Sequence, residues 1–83
     1  MRFISLTVGN FLIFHGYDEN NAEIIEEVKV EQPAEKVVAL DRILSATEKY
    51  VLVTGPAGRQ MYWEYEGGLA SLKQKLAQAG LMI

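Results

Sequence analysis

Two features of the sequence could do chemistry: an aromatic cluster in the segment GRQMYWEYEGG and the single histidine, His15. The cluster places Tyr62, Trp63 and Tyr65 close together, which would suit stacking on bases or sugars if the rings were exposed. Alternation along a strand instead turns Met61, Trp63 and Tyr65 to one side and leaves Tyr62 on the other, beside glutamates. The first side has the composition of a core, so the sequence favours a buried Trp63 over a binding platform.

His15 has one predicted ionic partner, Glu26, on the neighbouring strand. An imidazole beside a carboxylate could support acid–base catalysis or pH sensing. No nucleophile is predicted beside them, because Ser5 points to the other face of its strand. We therefore interpret His15 and Glu26 as a structural ion pair, and an enzyme built on His15 is only a third hypothesis. With one histidine and no cysteine, the sequence predicts no metal site, no catalytic residue and no cofactor.

Arg42, Arg59 and Tyr62 are the residues that could contact nucleic acid. Arg59 lies at a predicted hairpin tip and Arg42 at a predicted bend, so a ring of subunits could gather such arginines around a pore. Solvated surface charge is the simpler interpretation. The net charge is −3, and residues 18–36 alone hold seven acids and two lysines. This acidity disfavours RNA, since binding would bring phosphates toward negative charge.

Alternation and turn residues predict a mainly β fold with one C-terminal helix, in a single small domain over residues 1–83. Gly9 and Asn10 predict a type II′ hairpin between the first two strands, and Asn20 with Asn21 predicts a type I′ turn into the third. The predicted elements are strands over about 2–8, 11–17, 23–30, 37–45, 48–54 and 59–66, and a helix over about 68–79.

The pairing of these strands follows from the predicted turns. The type I′ turn places Ile13 opposite Val28. The sequence GPAG predicts a four-residue loop that places Leu52 opposite Met61 and Tyr50 opposite Trp63. GPAG also has the spacing of a G-x-x-G nucleic-acid clamp, but that clamp joins two helices, so we interpret GPAG as a plain turn.

Two stretches are open to a helical interpretation. Residues 22–30 could form a helix capped by Asn20, although a strand there extends the apolar side of the first ribbon. Residues 34–47 could form a helix with one apolar face, whereas a strand there needs a bend or bulge at Asp41 and Arg42. The order of elements along the chain favours strands in both places.

The segments MRFISLT, VALDRILSAT, GRQMYWEYEGG and LASLKQKL, in this order, resemble FlbD-type flagellar proteins and small barrels similar to Sm proteins. The resemblance covers most of the chain outside residues 18–36. It implies a strongly bent antiparallel sheet, or a small Sm/SH3-like barrel of five to six strands, with the helix closing one end. It also implies rings or dimers formed through strand edges and, for Sm-like proteins, RNA binding at loops that line a pore.

Self-association through protein–protein contacts, without enzymatic activity, is the function that the sequence favours. The apolar segment LMI must dock on its own core or on a neighbour, and a small domain leaves apolar surface exposed. An Sm-like ring that binds single-stranded RNA is the alternative. No apolar run approaches the roughly 20 residues of a membrane span, and no signal segment is recognisable, so we expect a cytoplasmic protein without membrane contact.

Overall fold

A computed structural model describes residues 2–82, which form six antiparallel strands and one C-terminal helix. The strands are β1 (Phe3–Tyr17), β2 (Glu23–Val28), β3 (Ala34–Ala39), β4 (Ile43–Ala46), β5 (Tyr50–Thr54) and β6 (Gln60–Tyr65), and the helix is α1 (Gly68–Gln78). The strand order is β2-β1-β6-β5-β4, and β3 pairs with β1 beside β2. The predicted mainly β fold with one C-terminal helix is confirmed.

The sheet is strongly curled but does not close. Within residues 2–82, β3 pairs only with β1 and β4 pairs only with β5, so the two ends of the sheet stay unpaired. A 3-10 turn at Leu40–Arg42 carries the chain from β3 to β4 across this gap, and the Leu40 N–H bonds to the Arg2 carbonyl. The bent sheet is therefore confirmed, and the closed Sm/SH3-like barrel is wrong.

β1 is one continuous strand, so the predicted hairpin at Gly9 and Asn10 is wrong. Val8 pairs with Tyr65 and Phe11 pairs with Trp63, which leaves one extra residue in β1 between these pairs. The extra residue is a β-bulge, and such bulges bend a strand. Because β6 spans both halves of β1 on one edge, a continuous strand makes backbone bonds that a hairpin would lose.

The bulge turns apolar residues of both halves of β1 to one side of the sheet. Leu6 and Val8 precede it at even positions, and Phe11 and Ile13 follow it at odd positions. Because side chains alternate along a strand, an uninterrupted β1 would place these two pairs on opposite faces. The Asn10 side-chain oxygen holds the bend by accepting a hydrogen bond from the Val30 N–H at 2.9 Å.

The β1–β2 hairpin has a different register from the predicted one. The loop holds three residues instead of two, because the Asp18 N–H bonds to the Ala22 carbonyl, and the Asp18 carboxylate accepts the N–H groups of Asn20 and Ala22. This loop moves the pairing by one position, and an irregularity between Phe14 and Tyr17 moves it by one more. Ile13 therefore pairs with Glu26 rather than Val28.

The β5–β6 hairpin is displaced by one residue from its predicted pairing. Val51 pairs with Trp63 and Val53 with Met61. The Gly55 N–H bonds to the Arg59 carbonyl, so the loop is Pro56–Gly58 and has an odd number of residues. A one-residue displacement exchanges the two faces of a strand. Val51 and Val53 therefore face the core in place of the predicted Leu52 and Tyr50.

Residues 34–46 are extended except at the 3-10 turn, so the predicted strand over 37–45 is two strands, β3 and β4. The turn lies at Asp41 and Arg42, where the bend is predicted. The helical alternatives over 22–30 and 34–47 are wrong. In both places the backbone is paired with a neighbouring strand, and tertiary pairing overrides local helix propensity.

The core lies inside the curl of the sheet and is small. Its buried members, contributed by β1, β5, β6 and α1, are Leu6, Val8, Val51, Val53, Tyr65 and Leu72. Trp63 and Met61 are half-buried and pack against this cluster. Trp63 therefore faces the interior, as the alternation of its strand predicts.

α1 closes one end of the curl. The Leu69 N–H bonds to the Glu48 carboxylate at 3.1 Å, and the Lys75 ammonium donates to the Ser5 carbonyl at 3.1 Å. Leu72 is the buried residue of the helix. In the part of the chain that the structure describes, no helix is long and apolar enough to cross a bilayer.

The molecule exposes more surface than its mass requires. The accessible surface is 5891 Å² for a chain of 9.3 kDa, whereas a folded monomer of this mass exposes about 5,000 Å². The radius of gyration is 13.6 Å, against about 12 Å for a compact domain of this length. Part of the excess is an arm formed by the β1–β2 hairpin, in which nearly all of β2 is exposed.

Candidate functional site

An apolar groove runs between β4 and α1, and we call it the β4 groove. Its volume is about 370 Å³, and Ser45 is its only polar lining residue. The lining residues are Leu40, Ile43, Leu44, Ser45, Ala46, Leu72, Leu76 and Leu81. None of the described residues that line the groove is charged, so the groove suits an apolar occupant.

Two local irregularities build the walls of the β4 groove. A bulge between Ile43 and Ser45 displaces Leu44, which is 53% exposed. At the other wall, α1 ends in a Schellman motif: the Leu81 N–H bonds to the Leu76 carbonyl, and the Gly80 N–H bonds to the Ala77 carbonyl. Gly80 has a positive φ of 74°, and this conformation turns Leu81 back onto Leu76.

The outer edge of β4 differs from the other free edges of the sheet in its charge. β2 has the sequence EIIEEV and β3 the sequence AEKVVA, whereas β4 has the sequence ILSA. Charged side chains on an edge strand disfavour pairing with another chain. Among the described strands at the sheet edges, β4 is thus the one without this protection.

A second concavity lies in the mouth of the curl, between β3 and the β5–β6 hairpin, and we call it the basic cleft. Its volume is about 270 Å³. Its apolar lining comprises Val8, Val37, Val38, Ala39, Val51, Val53, Met61 and Trp63, and its remaining lining residues are Lys36, Arg42, Thr54 and Gly55. Within residues 2–82, two cations and no carboxylate line this cleft, in a chain whose net charge is −3.

Trp63 forms a wall of the basic cleft and is held by two neighbours. The Phe11 ring stacks on it with centroids 4.1 Å apart and planes at 20°, and the Lys36 ammonium lies 4.3 Å from its ring centroid. A cation at this distance from an indole is electrostatically favourable. The indole N–H is buried and has no hydrogen-bond partner among the described residues.

The structure brings His15 and Glu26 together on the arm. The His15 Nε2 and a Glu26 carboxylate oxygen lie 2.7 Å apart. The two residues are diagonal neighbours, since Glu26 is directly opposite Ile13. The pair is solvent-exposed, on an extended element at the edge of the sheet.

Arg42, Arg59 and Tyr62 do not form one surface. Arg42 lines the basic cleft, where its guanidinium donates to the Thr54 carbonyl at 3.4 Å. Arg59 is exposed at the end of the β5–β6 loop. Tyr62 is half-buried on the face of β6 opposite to Trp63, where Leu12 and Leu52 are its cross-strand neighbours.

Sequence reasoning missed both concavities, because each combines residues from distant strands. A usable signal for the β4 groove is the uncharged strand ILSA beside a helix with a leucine stripe. The basic cleft can be recognised only once the pairing of Lys36 with Leu6 is known, because this pairing places the Lys36 ammonium on the inner face of the sheet. Within residues 2–82, no group of three or more metal-binding side chains comes together.

No protein-family model, no curated protein and no solved structure matches this chain. The resemblance to FlbD-type and Sm-like proteins therefore stays a prediction from short motifs. The two concavities are therefore the features of the molecule that bear on its function.

Proposed function

We propose that this protein is a non-enzymatic, self-associating β module in which two copies join through the β4 groove. The observation that supports it best is the uncharged edge of β4 beside a groove whose lining is apolar except for Ser45. Burying an apolar surface of this kind against a partner is favourable, because it removes the surface from water.

The proposed occupant of the β4 groove is a second copy of the same chain. In a twofold arrangement each β4 edge pairs with the other, and each exposed Leu44 enters the groove of its partner. The surface of the chain exceeds that of a typical monomer by roughly 900 Å², and the acidic arm holds part of this excess. A stable interface buries about 800 Å² on each partner, and this is the area that the β4 edge, the groove and its rim would have to cover.

Charge also selects this edge over the others. Pairing β2 with a second β2 would oppose strands that each carry Glu23, Glu26 and Glu27. Like charges placed opposite each other on neighbouring strands are destabilising. The proposed dimer instead keeps the acidic arms apart and exposed, where they remain free to contact other proteins.

Leu44→Lys tests the proposal, because it adds a charge to the groove without removing a buried side chain. We expect the wild-type protein to be a dimer at micromolar concentration in sedimentation equilibrium. The variant should dissociate at least about tenfold more readily, since burying an unpaired ammonium is costly. Val37→Lys is the matched control: Val37 is 63% exposed on β3, outside the groove, and this variant should dimerise normally.

Circular dichroism first confirms that both variants keep the fold. A wild-type monomer at concentrations of about 100 μM would contradict self-association. Dissociation by Val37→Lys with Leu44→Lys unaffected would place the contact on β3 instead. The same samples are titrated with single-stranded RNA at two salt concentrations, and a salt-dependent shift would favour the Sm-like alternative.

A further inference from the structure

We propose that the basic cleft binds small amphipathic carboxylates, with the apolar body of the ligand in the cleft and its carboxylate at Lys36 and Arg42. This site is separate from the β4 groove, because the two concavities share no lining residue. Ligand binding here therefore does not depend on the proposed dimer.

The distribution of polarity in the cleft argues for a ligand with one apolar end and one anionic end. Val51 and Val53 are buried at its base, while Lys36 and Arg42 are exposed. A mostly apolar pocket with few polar groups is the usual form of a small-molecule site. An ammonium and a guanidinium are both hydrogen-bond donors to a carboxylate, and charge-assisted bonds of this kind are stronger than neutral ones.

The cleft carries positive charge although the chain as a whole is acidic. The chain holds 11 acidic and 8 basic residues, yet none of the described residues that line the cleft is acidic. Lys36 has no carboxylate partner within ion-pair distance among the described residues, and neither has Arg42. A bound carboxylate would supply the counter-charge that the cleft lacks.

Trp63 gives the cleft an aromatic wall, on which the apolar body of a ligand can pack. Its indole N–H is buried and has no partner among the described residues, so a carboxylate held at the exposed Lys36 and Arg42 does not contact it. The size of the cleft, about 270 Å³, limits the ligand to a small molecule.

The test uses 4-phenylbutyrate and its neutral analogue 4-phenyl-1-butanol. Trp63 is the only tryptophan of the chain, so its fluorescence reports on the cleft alone. We expect a saturable change with phenylbutyrate, with a Kd on the order of 1 mM for a ligand this small. The alcohol should bind roughly fivefold more weakly or worse, because it lacks the carboxylate.

Lys36→Gln and Arg42→Gln should each weaken phenylbutyrate binding roughly fivefold and leave the affinity for the alcohol unchanged. Lys73→Gln, which removes an exposed cation on α1 outside the cleft, is the control and should bind like the wild type. Because Lys36 contacts the indole, the shift of the Trp63 indole N–H resonance in proton–nitrogen NMR spectra serves as a second readout.

The proposal would be overturned by no saturation up to tens of millimolar, by equal affinity for acid and alcohol, or by equal weakening by Lys73→Gln. Binding should persist in the Leu44→Lys variant. A ligand effect that disappears there would instead mean that the cleft exists only in the dimer, which also contradicts the site as proposed.

Discussion

Tyr65 shows how one side chain can link the core to a turn. Its ring is buried at the end of β6, and its hydroxyl donates to the Thr47 carbonyl at 2.6 Å. Burial raises the pKa of Tyr65 above its usual value near 10, and the nearby Glu48 carboxylate raises it further. The neutral hydroxyl is therefore the form that the fold requires.

We expect Tyr65→Phe to lower the free energy of unfolding by about 1 kcal/mol at neutral pH, because the Thr47 carbonyl loses its donor. The wild type should also lose stability in alkali. Since the folded pKa is raised, the contribution of the tyrosine is complete below pH 10 and declines as the pH rises above that value toward the folded pKa. Urea unfolding at several pH values measures both effects.

Tyr17→Phe is the control for this experiment, because Tyr17 is exposed on the arm. It should change neither the stability nor its alkaline dependence by more than a few tenths of a kcal/mol. An alkaline decline that is as steep in Tyr65→Phe as in the wild type would contradict the assignment to Tyr65.

At the scale of residues, the sequence predicts contacts that depend on alternation within one hairpin. His15 meets Glu26 even though the register differs from the predicted one, because long side chains reach diagonal neighbours. The meeting of Lys36 with Trp63 is not predictable in this way. It depends on the pairing of β3 with β1 and on the curl of the whole sheet.

At the scale of elements, the bulge in β1 decides which side chains enter the core. Alternation predicts the inner face of β6 correctly, since Trp63 and Tyr65 face inward. The length of a loop is less predictable, because Asn21 can occupy a left-handed position in a loop of two or three residues, and Gly58 in a loop of three or four. Each such choice moves the register, which is why both hairpins differ from their predicted pairing.

Deleting Asn10 should remove the extra residue of β1, so that Val8 and Phe11 become alternate positions opposite Tyr65 and Trp63. The inner face would keep its apolar residues, but β1 would lose the bend of the bulge and the bond to the Val30 N–H. We expect a loss of about 2–3 kcal/mol, because a straighter β1 fits the curl of the sheet less well. Thermal unfolding followed by circular dichroism measures it.

Asn10→Ala is the matched control, since it keeps the number of residues and removes only the bond to the Val30 N–H. This variant should lose only about 1 kcal/mol. A deletion variant as stable as Asn10→Ala would show that the sheet does not need the bend of β1.

At the scale of the whole molecule, only six hydrophobic side chains among the described residues are buried in the core, while the surface is larger than the mass predicts. Composition and length predict this outcome in general terms, because a short chain with many apolar residues cannot bury all of them. They do not predict where the excess lies. That depends on the sheet staying open between β3 and β4.

The proposed dimer makes thermal stability depend on protein concentration. Association stabilises the folded state by mass action, so the Tm should rise by roughly 3 °C for each tenfold increase in concentration. Leu44→Lys should remove most of this dependence, and Val37→Lys should retain it. Differential scanning calorimetry over a hundredfold range measures the effect, and a constant wild-type Tm would contradict the dimer.

The long bent strand β1 also has a consequence for synthesis on the ribosome. β1 emerges early in the chain, but β6, which bonds to both sides of its bulge, begins only at Gln60. At a synthesis rate of about 5–20 residues per second, one edge of β1 stays unpaired for several seconds until β6 has been made. During that interval β2 and β3 can already cover the opposite edge. At this stage the nascent chain is half of a sheet whose apolar face is exposed to solvent. A chaperone that binds exposed apolar segments would bind the nascent chain at this stage.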